Sequence, residues 1–371
     1  MSQQVADYDL AIIGASFAGL VAARSAALRG LNVIIIEAKS DPGARIHTTG
    51  IVVREAAETV DIPHFVTKRI RGIRLYAPSF KHMDLFAPGY AFLTTDMAAL
   101  MRWLADEATR AGAKLVCSTR FTSARRENGL VHLETPAISA RYLLGCDGAK
   151  SQVADAFGLG KNTKFLIGLE AEYKGLDAVD PRLLHCFLDS AIAPGYIAWA
   201  APGPAVTQIG LATKGDAKPA LQKFIEKSEH LFHYSKAEIV ERRSGVIPCG
   251  GLVRPYACDG VMLIGDSAGL VSPLTAGGIK LSFEFGRKAA HAVADHLLNG
   301  GPTPETVLDG DLPRFHIKSR LRQALNFGPP NWMYELMIGT PPLRAIAQRL
   351  YFHRRGSGGS FDDFSKNLSE S

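Results

Sequence analysis

Two glycine turns, separated by about 250 residues, constrain this chain more than any other feature. The first is Gly14-Ala15-Ser16-Phe17-Ala18-Gly19. It follows the apolar run Asp9-Leu10-Ala11-Ile12-Ile13 and leads into an alanine-rich stretch, residues 18–29, with Leu20, Ala23, Ala27 and Leu28 on one helical face. A short apolar run ending in glycine predicts a buried parallel strand. Gly14 permits the tight turn, and Gly19 lets the helix lie close to the strand. The small Ser16, standing where the dinucleotide fingerprint has its middle glycine, lets backbone approach a pyrophosphate. Free N–H groups and the helix dipole favour an anion there. Residues 32–36 read as a second strand, closed by Glu37 and followed by Ala38. An acid at that point suits the two hydroxyls of an adenosine ribose and repels a 2′-phosphate, so NADP is not expected at this turn.

The second turn follows Val261-Met262-Leu263-Ile264 and reads Gly265-Asp266-Ser267-Ala268-Gly269. Pro273, Gly277 and Gly278 shape a loop before an amphipathic helix, residues 279–298, that opens on Ile279. Its positive end suits the pyrimidine edge of a flavin, where negative charge gathers on reduction, and Asp266 suits the ribityl hydroxyls. Two such turns together imply one FAD, held at its adenosine end and at its flavin end. The alternative for each turn is an ordinary connection between a strand and a helix.

Between them lies Tyr142-Leu143-Leu144-Gly145-Cys146-Asp147-Gly148-Ala149-Lys150-Ser151. This stretch, with Gly265–Ile279, resembles the geranylgeranyl reductase family within the aromatic-hydroxylase-like flavoproteins. The resemblance implies an α/β fold: a Rossmann-type FAD-binding domain, an inserted antiparallel sheet that binds substrate, and a helical C-terminal region. It also implies a cofactor contact for Asp147, and it places Arg45, in segment 43–50, near the flavin ring; an exposed loop charge is the other reading of Arg45. Tyr196-Ile197-Ala198-Trp199-Ala200-Ala201-Pro202 is similar to the reductases' aromatic-x-Trp-x-Phe-Pro segment, so Tyr196, Trp199 and Pro202 become candidate substrate residues. Ile197 and Ala201 depart from that pattern, and Trp199 also reads as a core residue of a strand. The same departures break the similar motif of flavin halogenases. Where the reductases carry a cysteine segment, this chain has His47-Thr48-Thr49-Gly50-Ile51. Histidine titrates nearest neutrality, which makes His47 a candidate acid; pairing with backbone is the other reading.

The expected organisation is discontinuous. Residues 1–60, 90–160 and 245–300 form the FAD-binding domain, and 61–89 with 161–244 form the substrate domain. Residues 301–355 are helical and 356–371 form a disordered tail. A helix is predicted over 97–111, with a strand at 114–118. No run is long enough for a membrane span, and no secretory leader is evident. Five scattered cysteines without a Cys-x-x-Cys pair point to reduced thiols in a cytoplasm and against structural zinc or an iron–sulfur cluster. A formal charge of +6 does not call for nucleic acid. Its basic residues nevertheless crowd the C-terminal region at Arg314, Lys318, Arg320, Arg322, Arg344, Arg349, Arg354 and Arg355, around Trp332-Met333-Tyr334-Glu335-Leu336-Met337-Ile338. That pattern suits peripheral contact with an anionic membrane, or a helix packed on the domain beneath a solvated basic face.

The resemblance implies hydride delivery from reduced FAD to a carbon–carbon double bond of an isoprenoid or other lipid, with an acid protonating the second carbon. The alternative is a flavin monooxygenase of the aromatic hydroxylase kind, using NAD(P)H and O2. The electron donor is NAD(P)H or a reduced protein carrier, and the sequence leaves the oligomeric state open.

Overall fold

The computed structural model describes residues 5–176 and 180–352. Arg354, Arg355 and the tail expected at 356–371 lie outside them. The chain forms two compact units: Met1–Ile46 with Met97–Phe165 and Val246–Arg322, and His47–Asp96 with Leu166–Gly245 and Gln323–Ser371. Residues 47–60 and 90–96, expected with the glycine turn, belong to the second unit. Strands Ile51–Val53 and Thr67–Ile70 both pair antiparallel with Phe92–Thr95 there, and that ladder outweighs continuity along the chain.

The first unit is built on an eight-stranded sheet. Its path runs Ala257–Cys258, Val261–Leu263, Ile138–Gly145, Tyr8–Ile13, Val33–Ile36, Lys114–Val116. The last five of these are mutually parallel. Leu10, Ile12, Val33, Ile35, Leu143 and Leu144 are wholly buried, as both-face coverage of a parallel sheet demands. Each such side chain contributes about 1.5–3 kcal/mol through burial. Helix Phe17–Leu28 packs on helix Ile279–Asn299. Small residues make the approach close: a Cβ on Gly286 would lie 2.6 Å from the Ala18 carbonyl oxygen.

The second unit carries a seven-stranded sheet ordered Glu238–Pro248, Phe165–Lys174, Thr207–Lys214, Ala198–Pro202, Leu183–Phe187, Gly72–Tyr76, His82–Phe86. The inserted sheet was expected to be antiparallel, yet Leu183–Phe187 and Gly72–Tyr76 run parallel. No tight turn joins those two strands; the chain travels through the first unit between them, and a long connection permits either direction. Alternation then sorts the side chains. Ala171, Tyr173, Ala198, Ala200, Ile209 and Leu211 share a core with Phe224 and Phe232 of helix Leu221–Phe232. The residues between them, Glu170, Glu172, Trp199, Gln208 and Gly210, point to the other face.

Beyond residue 300 the described chain is helical: Pro304–Asp309, His316–Asn326, Asn331–Met337 and Pro341–Phe352. Arg322 is buried, unlike most of the basic residues around it. Helix Asn331–Met337 is held through its polar residues. Glu335 accepts from the Ser79 N–H and hydroxyl, both at 2.7 Å, and the Asn331 amide engages Asp189 and the Ser190 N–H, both at 2.8 Å. Its apolar residues face outward, with Trp332 62% and Leu336 65% exposed.

Candidate functional site

The three stretches that the sequence spreads across the first unit meet in space. Gly14 has φ +100°, and a Cβ there would lie 2.5 Å from the Cys146 carbonyl oxygen and 3.2 Å from Asp147 Cα. No other residue fits that turn without displacing the neighbouring strand end. A Cβ on Gly265 would lie 3.1 Å from that of Ala18, so the second turn rests on the start of the first helix. The Phe17 and Phe283 rings meet edge-to-face at 5.5 Å, which sets the N-terminal turns of helices Phe17–Leu28 and Ile279–Asn299 side by side. Ser267 ties the second turn to the middle strand, its hydroxyl donating to the Gly145 carbonyl at 2.6 Å.

Ser16 caps the first helix, its hydroxyl accepting from the Gly19 N–H at 3.3 Å. The first-turn N–H groups of Phe17 and Ala18 have no intrahelical partner by construction and remain donors for an anion. Glu37 accepts from the Ala15 N–H at 2.8 Å through one oxygen and from the Lys39 N–H at 2.7 Å through the other. A carboxylate offers about four lone-pair directions, so two stay open beside Ala38. Asp147 is committed locally: its oxygens accept from the Ser151 hydroxyl and from the Gln152 and Val153 N–H groups, organising helix Gln152–Ala156. Burial raises its pKa despite those bonds.

Asp266 differs. Its backbone carbonyl accepts from the Asn162 amide at 2.8 Å, but among the described residues its carboxylate accepts no hydrogen bond. Burial alone pushes it up to about 6. A Cβ on Gly278 would meet its Oδ1 at 3.3 Å, so the acid stands against the loop that precedes Ile279. Pro273 is buried in that loop and Gly277 is exposed. An unpartnered acid, open helix N-termini and a glycine cradle fit a dinucleotide with polyhydroxy and phosphate groups. Asn162 went unrecognised in the sequence. It bridges the Ala149 and Asp266 carbonyls, and among the described residues its own buried carbonyl oxygen has no partner. No periodicity or spacing marks such a bridge.

The second unit assembles a side-chain cluster on the open-coded face of its sheet. The Trp199 indole covers Gly210, where a Cβ would lie 2.5 Å from the ring. Its N–H donates to Glu170 Oε2 at 3.0 Å, and the Thr49 hydroxyl reaches the same oxygen at 2.5 Å. Arg243 Nη1 stands 3.7 Å from Glu170 Oε1, while Nη2 pairs with Glu172 and Nε with Glu241. The Gln208 amide donates to Glu172 at 3.1 Å. Glu170 and the Arg243 side chain are only 6% and 7% exposed. Trp199 is buried, as its reading as a core residue of a strand expects, and its N–H joins this polar cluster. Pro202 ends its strand and accepts at its carbonyl from Thr94 at 2.6 Å. Tyr196 lies in the bend before that strand. His47 is exposed, its Nδ1 bonded to the Ser244 carbonyl at 2.8 Å. Arg45 is exposed at φ +46°.

Residues 7–303 match the family described as FAD binding domain. The digeranylgeranylglycerophospholipid reductase of Methanothrix thermoacetophila is 29% identical over 316 residues, 79% of this chain and 79% of that protein. Its counterpart in Methanosarcina acetivorans is 29% identical over 317 residues, covering 79% and 76%. A geranylgeranyl bacteriochlorophyll reductase-like protein from Thermoplasma acidophilum superposes with a TM-score of 0.81 at 20% identity, over 97% of this chain and 99% of that one. The flavin-dependent brominase Bmp2 superposes at 0.69 with 16% identity, over 98% of each. At those identities the structural likenesses speak for the fold.

Proposed function

The chain belongs to the FAD binding domain family and is a FAD-dependent oxidoreductase, and from that premise we propose that it saturates carbon–carbon double bonds in an isoprenoid lipid. The observation that carries the cofactor half is the meeting of Gly14–Gly19, Cys146–Asp147 and Gly265–Asp266 at two adjacent helix starts. The substrate half is supported by the names of the relatives, which reduce digeranylgeranylglycerophospholipids. FAD, when bound, supplies the hydride, and NAD(P)H or a reduced protein carrier reloads it.

In this reading the Gly14–Gly19 backbone, with Ala15, Ser16, Phe17 and Ala18, holds the pyrophosphate, and Glu37 uses its open lone pairs for the adenosine ribose beside Ala38. Asp266 takes the ribityl hydroxyls, and the Pro273–Ile279 loop with Gly277 and Gly278 closes on the flavin. Arg45 screens the phosphates. Trp199, Tyr196 and Pro202 give the alkene chain an apolar surface, which keeps competing water away. His47 is held through Nδ1 at the Ser244 carbonyl, the backbone pairing that its second reading expects. The outward Trp332, Met333 and Leu336, with exposed Arg344 and Arg349 on the helix that follows, rest on an anionic membrane from which the lipid is drawn. Polar anchoring of that helix supports this part, because its apolar side chains are left without a role inside the unit.

Dithionite-reduced holoprotein mixed anaerobically with a geranylgeranyl-chain lipid tests the reading. Reoxidation of the flavin without oxygen, with mass gain of the lipid by two hydrogens, is the expected result. A flavin that stays reduced until oxygen and an aromatic compound arrive, with NAD(P)H then consumed, would establish hydroxylation instead.

A further inference from the structure

The buried cluster of the second unit has an unbalanced charge. Glu170 and Glu172 flank a single guanidinium, and Glu241 takes that guanidinium's Nε. Glu172 is well supplied, with Arg243 Nη2 and the Gln208 amide both on Oε1. Glu170 takes only neutral donors, the Thr49 hydroxyl and the Trp199 N–H on Oε2; Arg243 Nη1 stands at 3.7 Å, beyond hydrogen-bond reach, and among the described residues that nitrogen is buried without an acceptor. A buried carboxyl group with another acid beside it and no cation in hydrogen-bond reach favours its protonated form.

We propose that Glu170 is the proton store of the substrate unit and passes its proton through the Thr49 hydroxyl to the alkene. Charges and donors face it from every packed element: Glu172 on its own strand, Arg243 and Glu241 on the Glu238–Pro248 strand, Gln208 and Trp199 on the two strands beyond, and Thr49 before the three-stranded sheet. His47 adjoins the same strand through Ser244. With the carboxyl protonated, the 2.5 Å bond runs from the Glu170 hydroxyl to Thr49 Oγ1. As the alkene π pair takes the Thr49 proton to form a new C–H bond, the Glu170 O–H bond breaks and the Thr49 O–H bond is remade. Glu170 is left as a carboxylate and is reloaded from water. Burial raises its pKa, against the Thr49 and Trp199 hydrogen bonds and Arg243, which favour the ionised form. The inference rests on the alkene-reductase reading, since only that reaction needs a proton beside the hydride.

Glu170→Gln keeps an acceptor oxygen for Trp199 and Thr49 while removing the transferable proton. Two measurements test it. In the infrared difference spectrum between neutral and alkaline pH, the wild-type holoprotein should lose the carbonyl stretch of a protonated buried carboxyl as pH rises, a band absent from E170Q. In the anaerobic single turnover with a geranylgeranyl-chain lipid, E170Q should react about 100-fold more slowly or worse. Its lipid affinity should be unchanged, and it should lack the wild-type fall in rate as pH rises. A missing carbonyl band, or an E170Q rate within threefold of wild type, overturns the proposal. A wild-type protein that shows the band but reduces no alkene overturns the reductase reading instead, so the two failures are distinct.

Discussion

The two units make their sites from different materials. In the first, backbone does the work: a left-handed glycine turn, two helix starts, and carboxylates whose oxygens hold N–H groups. In the second, side chains do it: an indole on a carboxylate, a guanidinium between acids, a threonine hydroxyl. A backbone site tolerates many side chains but almost no change of conformation. A side-chain site has the opposite sensitivity, because removing one charge strands the others in a medium that solvates them poorly.

Gly14→Val tests the first half of that contrast. A residue with a Cβ is disfavoured at φ +100°, and its Cβ would press on the Cys146 carbonyl 2.5 Å away. The strand end must move, and the helix start moves with it. The variant should purify without flavin, and titration with FAD should give affinity weaker by about 100-fold or more, a loss near 3 kcal/mol. A yellow G14V protein with wild-type affinity would break the claim that backbone makes this site.

Arg243→Met tests the second half. It leaves Glu172 buried without its cation, which costs about 3–5 kcal/mol. The urea midpoint should fall accordingly, while FAD affinity stays near wild type because the glycine turns are untouched. Restoring part of the loss with a second change, Glu172→Gln, would sharpen the assignment to stranded charge rather than lost packing.

The contrast also decides what could be read from the residues alone. Local backbone devices leave local signatures: Gly14–Gly19, the acid at 37 and Gly265–Asp266 are each visible within a few positions. The helix predicted over 97–111 is Met97–Arg110, and the strand at 32–36 is Val33–Ile36, since buried periodicity sets both. Glu170 and Arg243 lie on strands whose adjacency exists only after the sheet forms, so nothing near either one announces the other. The parallel pair of Leu183–Phe187 with Gly72–Tyr76 was hidden for the same reason. The Trp332 segment was legible as amphipathic. Which face turns outward depended on Glu335 finding Ser79, a contact across 256 positions. Asp147 carried a recognisable motif, and its oxygens are taken up by the helix that follows.

Asp266 lies between these extremes, a side chain placed by a backbone turn. Its native pKa of about 6 exceeds the 3.8 of an unburied aspartate, so the folded protein binds more protons than the unfolded one between those values. Stability of the flavin-free protein therefore falls as pH rises from about 4 to about 6, and the penalty persists above. Asp266→Asn removes it. The variant should be more stable without flavin at pH 7 by about 3 kcal/mol, with little difference at pH 3.5, while FAD binds more weakly. Equal gains at both pH values would show that the carboxylate charge is not the cause.

The smallest effect is expected at Ser16, and it bears on why serine replaces the usual glycine. The hydroxyl caps helix Phe17–Leu28 by accepting from Gly19 N–H, so Ser16→Ala should cost about 1 kcal/mol and Ser16→Gly only a few tenths. Neither change alters the turn at Gly14 or adds bulk toward the helix start. If backbone N–H groups hold the phosphates, both variants should keep FAD affinity within about tenfold, with S16G at least as tight as wild type because nothing then competes for the Gly19 N–H. A large affinity loss in S16G, without a matching fall in stability, would make the hydroxyl a phosphate ligand and move this position from the backbone half of the comparison to the side-chain half.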